Sequence, residues 1–357
     1  MPATVKDVAK AADVSIGTVS RVLSGEPNVT AETARRVMNA VDQLGYSRLR
    51  KRKHDPDAMQ LGRKNIAMLL LGMDRSLATL PSVACGIHGA ESALSKAGAN
   101  VLLSDVPSVD SVPTSIVRQN LHGVLAKAAL QGKLFESADA GLLERLRAVP
   151  TVWFLGRPLG ADWGDVVESN DHEVGKLAAE YLLHRGHRRL AIIDPKPDHV
   201  TLSQRCASFS WHAGEGGAKV EKVVGDSKDW TLPLHPVDDV EMVDKLVGRL
   251  LKRRSKPTAI FCPADGITAM VYRSFARRGL QMGRDMSLIS CNNELPLLSG
   301  LYPEVTTIDI RAEQIGRQAV DQLIWRLGHA EAPTVSVSVQ PGLVEGMSVK
   351  DLSESKS

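Results

Sequence analysis

Apolar residues recur in two different rhythms along this chain, and the change between them divides it. Over the first fifty residues they follow helical spacing in three short bursts. Val5, Val8, Ala9 and Ala12 stand at i, i+3, i+4 and i+7, which predicts a helix with one buried face. Ser15 occupies the N-cap position of a second helix that runs to about Leu23, turns Val19, Val22 and Leu23 inward, and stops at Gly25. Thr30 caps a third, which buries Ala34, Val37, Met38, Val41 and Leu44 and ends at Gly45. From Ile66 onward, short aliphatic runs alternate with amphipathic stretches. Strands are expected at 66–71, 101–104, 124–127, 152–155, 190–194, 220–224, 259–262, 288–291 and 335–339. Helices are expected near 82–97, 139–148, 172–185, 199–213, 238–254, 266–278 and 311–328. Strand followed by helix, repeated, calls for parallel sheets covered by helices; this much of it would make two similar lobes with a cleft at the strand ends.

The 357 residues exceed one ordinary domain, and 43% hydrophobic content supplies a real core. The boundaries read as 1–46 for the helical unit, 47–65 for a linker, 66–349 for the α/β core and 350–357 for a polar tail. Net charge is +3, but residues 1–64 hold twelve Lys/Arg against seven Asp/Glu, so the remainder is slightly acidic. The basic excess is assigned to the N-terminal unit, where a polyanion would be gripped. Cys85, Cys206, Cys262 and Cys291 form no CxxC pair, which fits reduced thiols without a zinc site. There is neither a signal-like apolar segment nor an 18-residue apolar run, so a cytoplasmic protein that makes no use of the membrane is expected.

Three small helices suit a helix-turn-helix wedge in a DNA major groove better than an enzyme. The segment VKDVAKAADVSIGTVSRVLSGEPNVTAETARRVMNAVDQLGY resembles the DNA-binding headpiece of the lactose-repressor (LacI/GalR) family of transcription regulators. GKLAAEYLLHRGHRRLAII, PTAIFCPADGITA, LYPEVTTIDI and EQIGRQAVDQLIWRL are similar to stretches of that family's periplasmic-binding-protein-like core, so the resemblance runs from about residue 4 to about 348. It implies a homodimer that represses from a palindromic double-stranded operator, with helices near 84–97 and 311–328 as dimer surfaces. It also implies a small-molecule effector (sugar, sugar phosphate or sugar acid) in the cleft, and no cofactor. Ile16, Gly17 and Arg21 match the base-reading positions, and Arg21 can give a guanine edge two hydrogen bonds. Ser15, Thr18, Ser20 and Asn28 are short donors suited to phosphates, though Ser15 and Thr18 also serve as plain helix caps. Tyr46 closes the headpiece.

The linker departs from the family pattern. Tyr46 is followed by Ser47-Arg48 and a basic run, not by Pro-Asn and an Ala-Arg hinge helix. Arg50, Lys51 and Arg52 are expected on phosphates or in an A·T-rich minor groove, and Leu61 is the candidate groove wedge. In the cleft, Arg205 matches the family's ligand-gripping arginine. Asn292 stands where relatives carry aspartate, Ala264-Asp265 where they carry Asn-Asp, and Gly156-Arg157 where an acid is frequent. The loss of carboxylates points to an anionic effector held by Arg205 and Arg157, or to a cleft that is only a dimer scaffold. Trp230 and Trp211 are candidates for stacking on a ring, and Asp265 reads as the cap of the helix at Gly266. His184 and His187 read as cations beside a helix end. No GxSxG, HExxH, P-loop or GxGxxG occurs, so no enzyme is expected. A solute-binding receptor would carry an export signal in place of the headpiece.

Overall fold

The computed structural model describes residues 4–24, 29–44, 61–110, 116, 120–131, 134–226, 230, 232–234 and 239–353. The chain divides into two compact units, 1–56 and 57–357.

The first unit holds three helices, α1 (Val5–Ala11), α2 (Ile16–Ser24) and α3 (Ala31–Gln43). Thr4 starts α1 through a reciprocal cap with Asp7, and Ser15 starts α2 by accepting the Thr18 amide at 3.0 Å. Val8, Ala9, Ala12, Val19, Val37 and Ala40 form the small core, with Val22, Leu23 and Val41 against it. Met38 and Leu44 do not join it; they are 45% and 39% exposed. The inward stripe of α3 is centred on Val37, Ala40 and Val41, which turns Met38 to the flank and leaves Leu44 beyond the reach of two short partner helices. Arg36 ties α3 back to the turn after α1, donating to the carbonyls of Ala12 (2.6 Å) and Asp13 (3.1 Å).

The second unit has two six-stranded sheets. In one lobe the strands are β1 (Asn65–Leu71), β2 (Asn100–Val106), β3 (Gly123–Ala128), β4 (Thr151–Phe154), β5 (Asp165–Ser169) and β11 (Ser336–Val339), ordered β11-β5-β4-β3-β1-β2 and all parallel. The other contains β6 (Arg189–Asp194), β7 (Lys219–Val224), β8 (Ala259–Phe261), β9 (Ser287–Asn292), β10 (Thr306–Asp309) and β12 (Gly342–Val344), ordered β12-β10-β9-β8-β6-β7. Only β12 there runs antiparallel to its neighbour. The order requires the chain to pass between lobes three times, after β5, β10 and β11. Alternation within β1 shows why both faces need cover. Ile66 and Met68 pack under α4 (Pro81–Lys96) and α10 (Ala312–Gly328), while Ala67, Leu69 and Leu71 face α5 (Ala140–Arg147). In the second lobe α6 (Asp171–His184) and α7 (Val200–Glu215) cover one face, and α8 (Val240–Leu251) and α9 (Asp265–Ala276) the other.

Helices α4 and α10 cross at glycine. A Cβ on Gly316 would enter the carbonyl of Gly86, and one on Gly89 the carbonyl of Glu313. The facing sides of both helices are thus used within the chain, and the outer stripe Ala84, His88, Glu91 and Ser95 of α4 stays exposed. Among the described residues no helix is long and apolar enough to cross a membrane, and no group of three His, Cys, Asp or Glu could hold a metal ion.

Leu61 is a correction to the groove-wedge expectation. It is fully buried with Ile66, Leu94 and Leu323, and its amide donates to Ala97 at 3.2 Å. A leucine that fills the base of the core cannot also insert between base pairs. The core therefore begins by residue 61, within the stretch expected to be linker. His187 is corrected too. It is 1% exposed, its Nε2 meets the Lys350 carbonyl at 3.0 Å and its Nδ1 the Thr258 hydroxyl at 2.8 Å. Burial pushes its pKa down, which makes it a neutral Nε2–H donor and not a helix-end cation.

Candidate functional site

Two sets of residues carry chemistry. On the helical unit, Ser15, Ile16, Gly17, Ser20 and Arg21 are exposed along the start and outer side of α2, and Thr18 is half-buried. Ile16 is 46% exposed although apolar, on a helix whose other aliphatics turn inward. Gly17 leaves open space: an added Cβ would meet only Ser15 Oγ, at 3.6 Å. Ser15 and Thr18 are engaged with each other, hydroxyl to hydroxyl at 2.9 Å, in addition to the cap. That is the capping role, which does not preclude a second contact from the remaining lone pairs. Asn28, Tyr46, Arg50, Lys51 and Arg52 lie outside the described residues.

In the core, a cavity of about 540 Å³ opens between the two sheets at the carboxyl ends of their strands. Lys127 and Ala128 end β3 and Ala129 to Gln131 follow it, Leu155 to Arg157 follow β4, and Glu168 and Ser169 end β5; Lys196, His199 and Arg205 come from beyond β6, and Asn292 ends β9. Of the residues expected there, Arg205, Asn292, Arg157 and Trp230 all line it. Trp211 does not; it projects from α7 and is 66% exposed.

Arg205 is 3% exposed and heavily committed. Its Nε donates to Asp171 Oδ1 at 2.7 Å, and its Nη1 donates to the Pro263 carbonyl at 2.9 Å and Asn292 Oδ1 at 2.8 Å. Burial opposes the charge, but the Asp171 carboxylate outweighs it and holds the guanidinium protonated. Asn292 accepts that bond from a left-handed backbone, φ 114°. Arg157 gives Nη2 to the Gly164 carbonyl at 3.0 Å. Asp265 is not the expected cap. It is fully buried in the first turn of α9 and accepts from Ser290 (2.5 Å), Thr307 (3.1 Å) and the Glu294 amide (2.7 Å). Burial pushes its pKa up to about 6, against the pull of those donors.

Several cavity residues had no motif to announce them. Lys127 is buried, donates to the carbonyls of Ala128 (3.1 Å) and Leu155 (3.2 Å), and is pushed down to about 8 by burial, with Glu168 opposing. Burial raises Glu168 in turn, with Asp171 adding and Arg157 and Lys127 opposing. Lys196 pairs with Asp239 at 2.8 Å. His199 is pushed down to about 3, first by burial and then by Lys127, Lys196 and Arg205, so it is neutral, and its ring meets Trp230 edge-on at 6.4 Å. Gln131 Nε2, Arg157 Nε, Ser169 Oγ, His199 Nδ1 and Trp230 Nε1 are buried without a hydrogen-bond partner among the described residues, and all five residues line this cavity. Buried polar groups are nearly always satisfied in folded proteins, so five such atoms on residues that line one cavity make it the candidate ligand site.

Comparison with known proteins bears on both sets. Residues 4–48 match the model of bacterial regulatory proteins, lacI family, and residues 179–349 match a periplasmic binding protein-like domain. The chain thus carries the DNA-binding domain of the lacI family followed by a periplasmic-binding-protein-like domain. The HTH-type transcriptional repressor PurR of Pasteurella multocida is 28% identical over 360 residues, covering 98% of this chain and 99% of that protein. PurR of Haemophilus influenzae is 28% identical over 365 residues, covering 98% and 99%. Among solved structures, a transcriptional regulator CelR–cellobiose complex superposes with a TM-score of 0.65 at 22% identity, covering 97% of this chain and 99% of that one. The lac repressor dimer bound to operator and the anti-inducer ONPF superposes at 0.61 and 20% identity, covering 98% and 100%. This chain is therefore a DNA-binding transcription regulator built as a helix-turn-helix headpiece and a two-lobed α/β core. Its relatives are regulators and not enzymes.

Proposed function

We propose that the chain acts in the cytoplasm as a homodimeric repressor on a palindromic operator, and that a small anionic effector in the interlobe cavity sets its affinity for DNA. One headpiece spans too few base pairs to be selective in a genome, and two related by a twofold axis read half-sites about 34–36 Å apart. Ile16 reaches a thymine methyl, Gly17 lets α2 approach closely, and Arg21 reads a guanine. Ser15, Thr18, Ser20 and Asn28 hold phosphates, as do Tyr46 and the run Arg50, Lys51 and Arg52. The observation that carries the DNA reading is the exposed apolar Ile16 beside the open Gly17 on a helix that otherwise obeys the inside–outside rule. For the effector, the carrying observation is the set of buried polar atoms, Arg157 Nε among them, that have no partner among the described residues and sit on residues lining the cavity. The exposed stripe of α4 and the outer side of α10 serve as the dimer surface.

The test is genomic footprinting to find the sites, followed by binding of the full chain to one site and to scrambled duplex. Arg21→Ala should erase a preference worth about 1–3 kcal/mol, about five- to 150-fold, and leave weak salt-sensitive binding. Discrimination that survives the substitution refutes the assignment.

A further inference from the structure

Much of the cavity wall is aliphatic. Leu77, Leu80 and Val83 face it from one lobe and Ile267, Met270 and Leu297 from the other. A polyhydroxylated ligand would turn hydroxyls toward groups that cannot bond them. Three of the four carboxylates in the wall are engaged within the protein. Asp171 takes Arg205 Nε, Asp239 takes Lys196, and Glu294 takes the Ser82 amide at 3.0 Å. Asn292 spends its oxygen on Arg205.

What the wall still offers is donors. Gln131 Nε2, Arg157 Nε and Trp230 Nε1 are buried N–H groups without an acceptor among the described residues, and Gln131 is only 3% exposed. Gln131 and Arg157 sit on adjoining loops, joined where the Leu159 amide donates to the Leu130 carbonyl at 3.4 Å. The bond from Arg157 Nη2 to Gly164 fixes that guanidinium while leaving Nε to a ligand. Lys127 and Glu168 lie in the same wall, and burial raises the Glu168 pKa above the usual carboxylate range.

We propose that the effector is an amphiphilic oxyanion: a carboxylate or phosphate head held by Gln131 and Arg157, on a hydrocarbon or aromatic body that fills the aliphatic part of the cavity. This rests on the reading that the interlobe cavity is the effector site. It replaces the carbohydrate body that the family resemblance implied with an apolar one, and keeps the anionic head.

Calorimetry on the full chain, with operator binding followed in parallel, tests it. The probes are octanoate, 3-phenylpropanoate and octyl phosphate, the primary amides of the two acids, and glucose, gluconate and glucose 6-phosphate. At least one apolar anion should bind ten times or more tighter than its neutral counterpart and than any of the three carbohydrates, and should shift operator affinity. The carboxylate and phosphate arms distinguish the two heads. Arg157→Met and, independently, Gln131→Leu should each reduce the anion-over-amide preference at least tenfold while the melting profile shows a folded core. Tighter binding of gluconate or glucose 6-phosphate overturns the apolar body and leaves the effector site standing. Equal binding of acid and amide overturns the oxyanion head. Binding by none of the probes overturns both this proposal and the assignment of the cavity.

Discussion

The Arg205–Asp171 pair is where sequence expectation and structure differ most in consequence, and it can be tested by substitution. The resemblance makes Arg205 a ligand-gripping residue, yet three of its hydrogen bonds go to the protein itself. Arg205→Met would leave the Asp171 carboxylate, 12% exposed as a side chain, without its counter-ion, and would strand the Pro263 carbonyl and Asn292 Oδ1. Breaking a buried pair from one side costs about 3–5 kcal/mol. At about 2 °C per kcal/mol for a core of this size, the core transition in scanning calorimetry should fall by about 6–10 °C. Removing both charges is different: Arg205→Met with Asp171→Leu leaves neither member of the pair without its counter-ion, so the double variant should lose less than Arg205→Met alone, with a coupling of about 1 kcal/mol or more. A loss under about 1 kcal/mol for the single variant, or strictly additive losses in the double, would show that Arg205 does not organise the cleft in this way.

Three further outcomes follow from single sites. Ser15→Ala removes the cap of α2 and should cost the headpiece about 1 kcal/mol, read as earlier melting of its helical signal, with base preference unchanged; no shift would mean the cap is not formed in solution. Gly316→Ala forces α4 and α10 apart and should destabilise the core by about 1–3 kcal/mol in urea, whereas an unchanged midpoint would place the crossing wrongly. His187 has a folded pKa below its ordinary 6.5, so the unfolded chain takes up its proton first as pH falls. Its contribution is complete above about pH 6.5 and is lost as pH drops from there toward the folded value. His187→Gln should therefore flatten the stability difference between pH 7.5 and 5.5, and an unchanged difference would remove His187 from the account.

The fold was legible wherever periodicity was strong. The expected strands at 66–71 and 220–224 appear as Asn65–Leu71 and Lys219–Val224, and the helix near 311–328 as Ala312–Gly328, because each has a long apolar pattern flanked by polar stops. Strand β5 was missed because Asp165 and Glu168 break its alternation. The Asp165 charge is not solvated. Asp165 is fully buried and accepts from Arg326 (2.6 and 2.9 Å), Gln322 (2.7 Å) and the Val335 amide (2.8 Å), partners about 160 residues away. Met38 and Leu44 were misplaced for the opposite reason, since a three-helix unit is too small to cover every apolar position its pattern marks. The cleft was legible at Arg205, Asn292 and Arg157, where the resemblance lent it positions, and at Trp230, a candidate by its ring alone. Lys127, Glu168, His199 and Gln131 have no spacing signature, since the topology alone brings the ends of β3, β5 and β6 to one cavity. The contact across the lobes makes the limit explicit. Glu294 accepts the Ser82 amide over a separation of 212 residues, and its own amide is held by Asp265. Ser82 opens α4, the helix that crosses α10 at glycine, so a ligand that bears on Glu294 bears on that helix as well. Such a ligand changes the balance of arrangements only by binding one of them better than the other, which makes its contacts with Glu294 and the N-terminus of α4 the place to look for that difference.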